Sequence, residues 1–399
     1  MTTPRTAEVV IGANFGDEGK GLFTDFHAAR LGAGTTVIRF NGGAQAGHTV
    51  TLADGRRHVF HHVGAGAFAG AGTFLSRFFI ANPLVLEREL QALAGLGVAP
   101  AIALDPAAPL TTPFDMMANQ MAEEARGAAR HGSTGLGINE TVTRMATRFA
   151  TRAGDLAYRD ALRRQIVAIR DEYLPARLAA LNVIPDETWR RRIADPATIE
   201  WFLDAGEATL LPRLGALPPS RGLVFEGAQG LLLDERHEFF PHVTRSRTGL
   251  TNVLTLAREA GIDRLEVTYA TRAYLTRHGA GPFPREKPGL AFADATNRPN
   301  PWQGTLRFGW LDLDLLARTI HADLAQAAGV RIAATLGVTC LNQVGDHVPY
   351  WRDGTRQLAS PEALVAAALE AAGLGRALVS DAPTRESVAR VAPRRARAA

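Results

Sequence analysis

Short runs of β-branched and apolar residues end in glycine at several points along this chain. The first run is Ala7 to Gly12, the second is Thr36 to Phe40, and the third is Leu223 to Glu226, which precedes a Gly-Ala-Gln-Gly stretch. Segments 264–270 and 330–335 have the same character, whereas residues 21–31 have the pattern of a helix. The pattern predicts strands that open into glycine-rich loops, the first of them followed by a helix.

Residues from about 154 to 215 follow a different pattern, with apolar positions at helical spacing and many arginines between them. This segment predicts a helical insertion. Strands interleaved with helices predict an α/β fold with a mostly parallel central sheet and phosphate-binding loops at the strand ends. We expect one domain over residues 1–399, with a basic tail from about 388 to 399. In such sheets ligands gather at the carboxyl ends of the strands.

Composition and charge narrow the classes of protein. Of the 399 residues 46% are hydrophobic and 21% are charged, which predicts a soluble globular protein. The formal net charge is +4, and Lys20 and Lys287 are the only lysines. Several arginines lie in the tail, which is typical of a solvated terminus. The excess of positive charge fits a phosphate-bearing small substrate as well as a nucleic acid, and we expect no nucleic-acid partner.

A single cysteine, Cys340, excludes disulfides within the chain and cysteine-based metal clusters. Residues 1–10 lack the apolar core of a signal peptide, and no stretch reaches the roughly 18 to 20 apolar residues of a membrane span. The expectation is a cytoplasmic protein without a membrane partner.

The first glycine-rich loop, Asn14 to Gly21, places Asp17, Glu18 and Lys20 among three glycines directly after a strand. Backbone N–H groups of such a loop can surround a phosphate, and Lys20 can meet its charge. The hydroxyl that follows the lysine of common phosphate loops is here Gly21, so Mg²⁺ needs another ligand, for which Asp17 is the nearest candidate. Taken alone, such a stretch is more often a solvated turn.

A second glycine-rich loop runs from Asn41 to Thr49 and carries His48, which can donate or accept a proton at neutral pH. A single histidine of this kind is more often structural than catalytic. The two loops together favour a phosphate-handling site.

The two loops also resemble the signature of the adenylosuccinate synthetase family, as Gly16 to Gly21 and Ala46 to Thr49. The resemblance continues, in the family's order, through the segments Gly132 to Gly137, Phe225 to Gly230, Leu232 to Asp234, Val243 to Thr244 and Thr276 to Pro284. These segments cover most of the chain outside the helical insertion. Several motifs in one order are far more specific than any one of them.

The resemblance implies a ligase that joins aspartate to the 6-oxopurine nucleotide IMP, with hydrolysis of a nucleoside triphosphate, to give adenylosuccinate. Asp17 is then the general base, His48 assists transfer of the phosphoryl group, and Gln229 stabilises charge on the 6-oxygen. Mg²⁺ is held by Asp17 and the Gly47 carbonyl. The resemblance further implies a homodimer in which Arg148 reaches the partner's nucleotide, with Arg144 as the close alternative.

The remaining implied contacts fall into two sets. Those to the amino acid are Thr305 and Arg307. Those to the nucleotides are Gly16, Glu18, Gly19, Lys20, Gly21, Gln45, Thr49, Thr134, Arg148, Thr244, Asn342, Ser380 and Pro383.

Two segments depart from the family pattern. The segment before Gly309-Trp310 retains Arg307 alone of several arginines, so recognition of a dicarboxylate is altered. Asn342 replaces a carboxylate that pairs with guanine, so a preference for GTP weakens and ATP or dATP become candidates. These changes resemble viral relatives that make the 2-amino product from (d)GMP, but the retained Asp17 favours IMP.

Two other readings stay open. A ligase that uses a different amine fits the altered loop. A nucleotide-binding switch or nucleic-acid-binding protein fits the excess of basic residues, but it does not explain the ordered presence of His48, Gln229 and Thr244.

Overall fold

The computed structural model describes residues 5–294, 296–297 and 305–391. Its strands, in chain order, are β1 (Thr6–Gly12), β2 (Thr35–Arg39), β3 (His48–Thr51), β4 (Arg57–Phe60), β5 (Gly72–Leu75), β6 (Ile102–Leu104), β7 (Gly222–Gly230), β8 (Arg264–Arg272), β9 (Tyr274–Arg277), β10 (Arg307–Asp312), β11 (Arg331–Thr339), β12 (Val348–Arg352), β13 (Thr355–Ala359), β14 (Ala377–Val379) and β15 (Ala389–Val391). Its α-helices are α1 (Lys20–Leu31), α2 (Pro83–Gly95), α3 (Pro113–Arg126), α4 (Ile138–Met145), α5 (Arg159–Ala168), α6 (Leu174–Ala180), α7 (Glu187–Ala194), α8 (Ala197–Thr209), α9 (Leu250–Glu259), α10 (Leu313–Leu324) and α11 (Pro361–Ala372).

Nine of these strands form one sheet in the order β15-β14-β11-β8-β1-β7-β2-β5-β6. Every neighbouring pair is parallel except β14 and β15, which are antiparallel. The expected α/β fold with a mostly parallel central sheet is confirmed. Smaller sheets are formed by β13-β12-β10-β9 and by the hairpin β3-β4.

The central strands are buried on both faces, which explains their continuous apolar runs. In β1 every residue after Thr6 is buried, and β7 is buried from Gly222 to Ala228. Glycine-rich loops follow β1 and β2, and the glycine-rich stretch 227–230, expected as a loop, instead forms the end of β7, which lies between those two strands in the sheet. Because the carboxyl ends of parallel strands share one edge, the sheet gathers these loops at a single place.

A second apolar core lies among the helices that follow β6. Five of the apolar residues at helical spacing are buried there, namely Leu162, Ile166, Ile169, Leu174 and Leu178. Residues 159–209 contain α5 to α8. In the basic tail, Ala389–Val391 forms the edge strand β15, while residues 392–399 lie outside the described residues.

Candidate functional site

The loop between β1 and α1 is held in an unusual backbone conformation. Asp17 has a φ of 56°, in the left-handed region, between Gly16 at 93° and Gly19 at 85°. Non-glycine residues in this region concentrate where the surrounding structure enforces them, often at functional sites. Asn14 donates from Nδ2 to the Thr271 hydroxyl at 2.9 Å, which anchors the loop to β8.

Two ionisable groups of this loop, Glu18 and Lys20, are buried against the end of β1. A Cβ atom added to Gly12 would stand 2.2 Å from Glu18 Oε2 and 3.1 Å from Lys20 Nζ, so only glycine allows both to approach. Burial raises the pKa of Glu18 to about 8 and lowers the pKa of Lys20. A bound phosphate would oppose this shift in the pKa of Lys20, because a nearby anion favours the ammonium form.

His48 begins β3 and points back into the protein toward β7. Its Nδ1 lies 2.7 Å from Glu226 Oε1, and the other oxygen of Glu226 accepts from the Ala65 N–H at 3.1 Å. Among the described residues, His48 Nε2 has no hydrogen-bond partner. Burial lowers the pKa of His48 to about 4 despite the attraction of Glu226. The carboxylate fixes Nδ1 as the protonated nitrogen, so Nε2 is the atom available for a ligand.

The two loops line one cavity of about 410 Å³. Predicted site residues on its wall are Gly16, Asp17, Glu18, Gly19, Lys20, Gly21, Gln45, Gly47, His48, Thr49, Thr134 and Gln229. An adjoining cavity of about 340 Å³ shares Gln45, Thr134 and Gln229 and adds Thr244. The structure therefore brings the Asp17 carboxylate and the His48 imidazole to one cavity, with space for a ligand between their loops.

Gln229 connects these two cavities. It has a φ of 56°, and its Oε1 lies 3.4 Å from Gln45 Nε2. The Oε1 atom of Gln45 is buried and has no partner in the described part of the chain. With this assignment of the amides, Gln45 offers an acceptor and Gln229 offers N–H donors, as recognition of a purine edge requires.

The predicted donor-base residues lie at the carboxyl ends of β11 and β14. Exposed Asn342 follows β11, and the neighbouring Leu341 N–H lies 3.4 Å from the Ser380 carbonyl. Buried Ser380 donates its hydroxyl to the Ala382 carbonyl at 2.6 Å, and Pro383 is exposed beside it. The structure brings these residues to one another, although they do not line the two described cavities.

Arg307 and Thr305 also lie away from those two cavities. The Arg307 Nε donates to Glu286 at 2.8 Å, and its Nη1 donates to the carbonyls of Gly279 and Gly281 at 3.0 and 3.1 Å. Thr305 is exposed. The rest of this loop, residues 298–304, lies outside the described residues, so the role of Arg307 in binding an amino acid stays a prediction.

Arg148 and Arg144, the two candidates for a contact to a partner subunit, differ sharply in environment. The Arg148 side chain is 73% exposed and pairs with Glu172 at the surface. Arg144 is fully buried and donates to Asp115, to the Leu110 and Phe149 carbonyls and to Thr151. The Arg144 side chain therefore stabilises the fold, whereas Arg148 is the arginine that an adjacent molecule could contact.

We expect Arg144→Met to lower the free energy of unfolding by about 3 to 5 kcal/mol, because it leaves the buried Asp115 carboxylate without its positively charged partner. Arg148→Met should change stability by less than about 1 kcal/mol, as exposed ion pairs contribute little. Urea unfolding of both variants measures the difference. Equal stability of the two would contradict the assignment of Arg144 to the fold.

Sequence reasoning missed three residues around the cavity: Glu226, Arg272 and His278. Glu226 could have been suspected, because a carboxylate inside an otherwise apolar strand is rarely buried without a partner. Arg272 ends β8 and donates from Nε to the Asp17 carbonyl. His278 follows β9, with its Nε2 3.4 Å from Asp17 Oδ2. The last two contacts join residues more than 250 positions apart, and no local pattern predicts them.

A parallel sheet whose glycine-rich loops bring a carboxylate, a lysine and an imidazole to one cavity is the arrangement typical of a nucleotide-dependent α/β enzyme. Comparisons with known proteins support this class of enzyme. The family model described as adenylosuccinate synthetase matches residues 9–358. Adenylosuccinate synthetase of Xylella fastidiosa (strain M12) is 32% identical over 332 residues, covering 78% of this chain and 73% of the relative. The corresponding protein of Ectopseudomonas mendocina is 31% identical over 330 residues, with the same coverage.

Two solved structures share the fold at 16% sequence identity. Fully ligated adenylosuccinate synthetase from Plasmodium falciparum has a TM-score of 0.71, covering 96% of this chain and 99% of that one. Succinoaminodeoxyadenylate synthetase of cyanophage S-2L, bound to dGMP and to dATP as an energy donor, has a TM-score of 0.60, covering 97% and 95%. The chain belongs to the adenylosuccinate synthetase family and is a carbon–nitrogen ligase of purine metabolism. None of the helices within residues 5–294 and 305–391 combines the length and the apolar character of a transmembrane span.

Proposed function

We propose that this protein joins the amine of aspartate to C6 of IMP, through a 6-phosphoryl intermediate formed from a nucleoside triphosphate, and so makes adenylosuccinate. The observation that carries the proposal is the meeting of Asp17, Lys20 and His48 at one cavity. These groups supply the base, the phosphate-binding cation and the imidazole that this chemistry needs.

In the first step the N1–H bond of the purine breaks and its proton passes to the Asp17 carboxylate. The 6-oxygen then attacks the γ-phosphorus, and the bond to the leaving nucleoside diphosphate breaks. Gln229 donates to the 6-oxygen as charge develops there, and His48 Nε2 faces the transferred phosphoryl group. Gln45, Thr134 and Thr244 hold the nucleotide along the two adjoining cavities.

In the second step the amine of aspartate forms the new bond to C6. The C6–O bond breaks with its electron pair on the phosphate, which leaves as inorganic phosphate and takes up the proton that the amine loses. The phosphoryl group thus turns a poor leaving group into a good one. Glu226 keeps the His48 ring oriented through its 2.7 Å contact with Nδ1.

The residues at the cavity fit a Mg²⁺ ion that shares its ligands with phosphate. Asp17 offers a carboxylate and Gly47 a carbonyl, both oxygen donors, on the same wall. Over the described residues, no group of three or more His, Cys, Asp or Glu side chains could hold a metal. Mg²⁺ needs only a few ligands from the protein, since it binds through one or two carboxylates together with substrate phosphates. When bound, the ion neutralises charge on the triphosphate.

We also infer that the protein acts as a cytoplasmic homodimer in which Arg148 reaches the neighbouring subunit's nucleotide phosphate. The exposure of Arg148 supports this inference. Sedimentation of Arg148→Met beside wild type tests the dimer, and the Michaelis constant for the purine nucleotide tests the phosphate contact. An unchanged constant would remove Arg148 from the site.

A matrix of donors and acceptors tests the proposed reaction. GTP, ATP and dATP are each combined with IMP, GMP or dGMP in the presence of Mg²⁺ and aspartate, and products are identified by mass. We expect adenylosuccinate from IMP, and a loss of GTP preference because Asn342 presents a neutral amide. Product from GMP or dGMP alone would establish the 2-amino reaction instead.

Omission controls complete this test. Phosphate release should require the purine nucleotide, the amino acid and Mg²⁺ together. Equal release without the purine would discard the ligase proposal, and reaction only with another amine would replace aspartate. Aspartate is the component to test in this way, because the Arg307 guanidinium already donates to Glu286 and to two backbone carbonyl groups.

A further inference from the structure

His278, which follows β9, approaches the Asp17 carboxylate at the wall of the cavity. Its Nε2 lies 3.4 Å from Asp17 Oδ2 and 3.0 Å from Asn297 Oδ1. The side chain is 16% exposed and lines both cavities. A ring nitrogen that faces two oxygen atoms raises the question of which tautomer the histidine adopts.

The neighbours of Asn297 fix that tautomer. Asn297 donates from Nδ2 to Asp294 Oδ2 at 2.8 Å, so its other amide atom, Oδ1, is an acceptor. Since Asn297 Oδ1 and the Asp17 carboxylate can only accept, His278 Nε2 must carry a proton and donate. A neutral or a charged ring satisfies this requirement equally.

Asp294 is in turn held as a carboxylate. Arg272 Nη2 lies 3.0 Å from Asp294 Oδ2, and the N–H groups of Thr296 and Asn297 each donate to Oδ1 at 2.9 Å. Burial alone would raise the pKa of Asp294, yet these hydrogen bonds and Arg272 lower it. Because an ionised carboxylate can only accept hydrogen bonds, the Asn297 amide keeps its NH₂ group toward Asp294 and its oxygen toward His278.

These contacts form a closed ring that begins and ends at Asp17. Arg272 donates from Nε to the Asp17 carbonyl, pairs with Asp294, and through Asn297 reaches His278, which faces the Asp17 side chain. The Asp17 carbonyl thus accepts from Arg272, and the Asp17 carboxylate lies beside His278 of the same set. A non-glycine residue with a backbone φ of 56°, such as Asp17, depends on contacts of this kind with the surrounding structure.

We propose that His278 is a positioning residue for Asp17: its Nε2–H donates to Asn297 Oδ1 and lies beside the Asp17 carboxylate, 3.4 Å from Oδ2, which it attracts, while Asn297 and Asp294 set Nε2 as the protonated nitrogen. The inference rests on the proposed role of Asp17 as the base for the purine N1 proton. A displacement of about 1 Å at a reacting group can lower a rate by roughly a hundredfold.

The test compares His278→Leu, which removes the donor, with His278→Gln, whose amide can still donate toward Asp17. His278→Leu should lower kcat by roughly 10- to 100-fold and leave KM for both nucleotides within about twofold, because the residue acts through Asp17. His278→Gln should recover most of the loss. His321→Leu, whose ring contacts the Ala372 carbonyl far from the cavity, is the matched control.

A double variant separates positioning from a general structural effect. If His278 acts only through Asp17, Asp17→Ala combined with His278→Leu is no slower than Asp17→Ala alone. A further loss in the double variant, or wild-type kcat in His278→Leu, would overturn the inference. Should His278→Leu fail to fold, Asn297→Leu must show the same loss of kcat with unchanged KM, and wild-type kcat there overturns it.

The failure of this inference differs from the failure of the proposed function. An inactive wild-type protein in every donor and acceptor combination removes the ligase proposal and the inference with it. An active wild type whose His278 variants behave as His321→Leu removes the inference alone.

Discussion

Asp17→Asn is expected to lower the turnover of ligation by roughly a hundredfold or more, because an amide cannot take the purine N1 proton. Asparagine has the same shape and tolerates the left-handed backbone that Asp17 adopts at a φ of 56°. The fold of the loop should therefore survive the change. Steady-state release of phosphate, with a purine nucleotide and an amino acid present, measures the effect.

The chain offers a matched control in Asp353→Asn. Asp353 also has a left-handed backbone, at a φ of 52°, and its side chain is 82% exposed between β12 and β13. The control should keep both wild-type turnover and wild-type stability. Near-normal turnover in Asp17→Asn would remove Asp17 from proton transfer and leave it, at most, a ligand for Mg²⁺.

His48→Ala is expected to lower turnover by roughly a hundredfold or more, since it removes the imidazole that faces the transferred phosphoryl group. Glu226→Gln tests the orientation of that ring. The Ala65 N–H donates to one oxygen of Glu226, so a glutamine there places its oxygen on Ala65 and its NH₂ toward His48 Nδ1. The ring must then adopt the opposite tautomer.

For that reason Glu226→Gln should lower turnover by roughly tenfold to a hundredfold, although its shape is conserved. Exposed His347 supplies the control, because His347→Ala removes an imidazole far from the cavity. Single-turnover measurements would place the loss at the phosphoryl step. Wild-type rates in His48→Ala would show that the imidazole takes no part in the reaction.

These predictions draw unequally on sequence and structure. The strands and the glycine-rich loops were predicted from the sequence, because apolar runs of β-branched residues and turns with glycine are local patterns. Asp17, Lys20 and His48 lie in those loops, so they were predicted as well. Their meeting at one edge of the sheet followed from the rule for parallel strands.

The support around those residues could not be predicted in the same way. Glu226 reaches His48 across 178 positions, and Arg272 reaches Asp17 across 255. The choice between Arg144 and Arg148 likewise depended on burial, which neighbouring sequence did not distinguish. These long-range contacts depend on which strands are adjacent, and the burial of Arg144 depends on how deep its side chain lies.

The sequence by itself determined the class of fold and the family, and it predicted the candidate reacting groups, since each is encoded in short segments that keep their order. Only the tertiary structure decided how those groups are held: the tautomer of His48 set by Glu226, and the ring of contacts from Arg272 through His278 to Asp17. The physical reason is that a hydrogen bond depends on distance and direction in space, whereas a motif records only position along the chain.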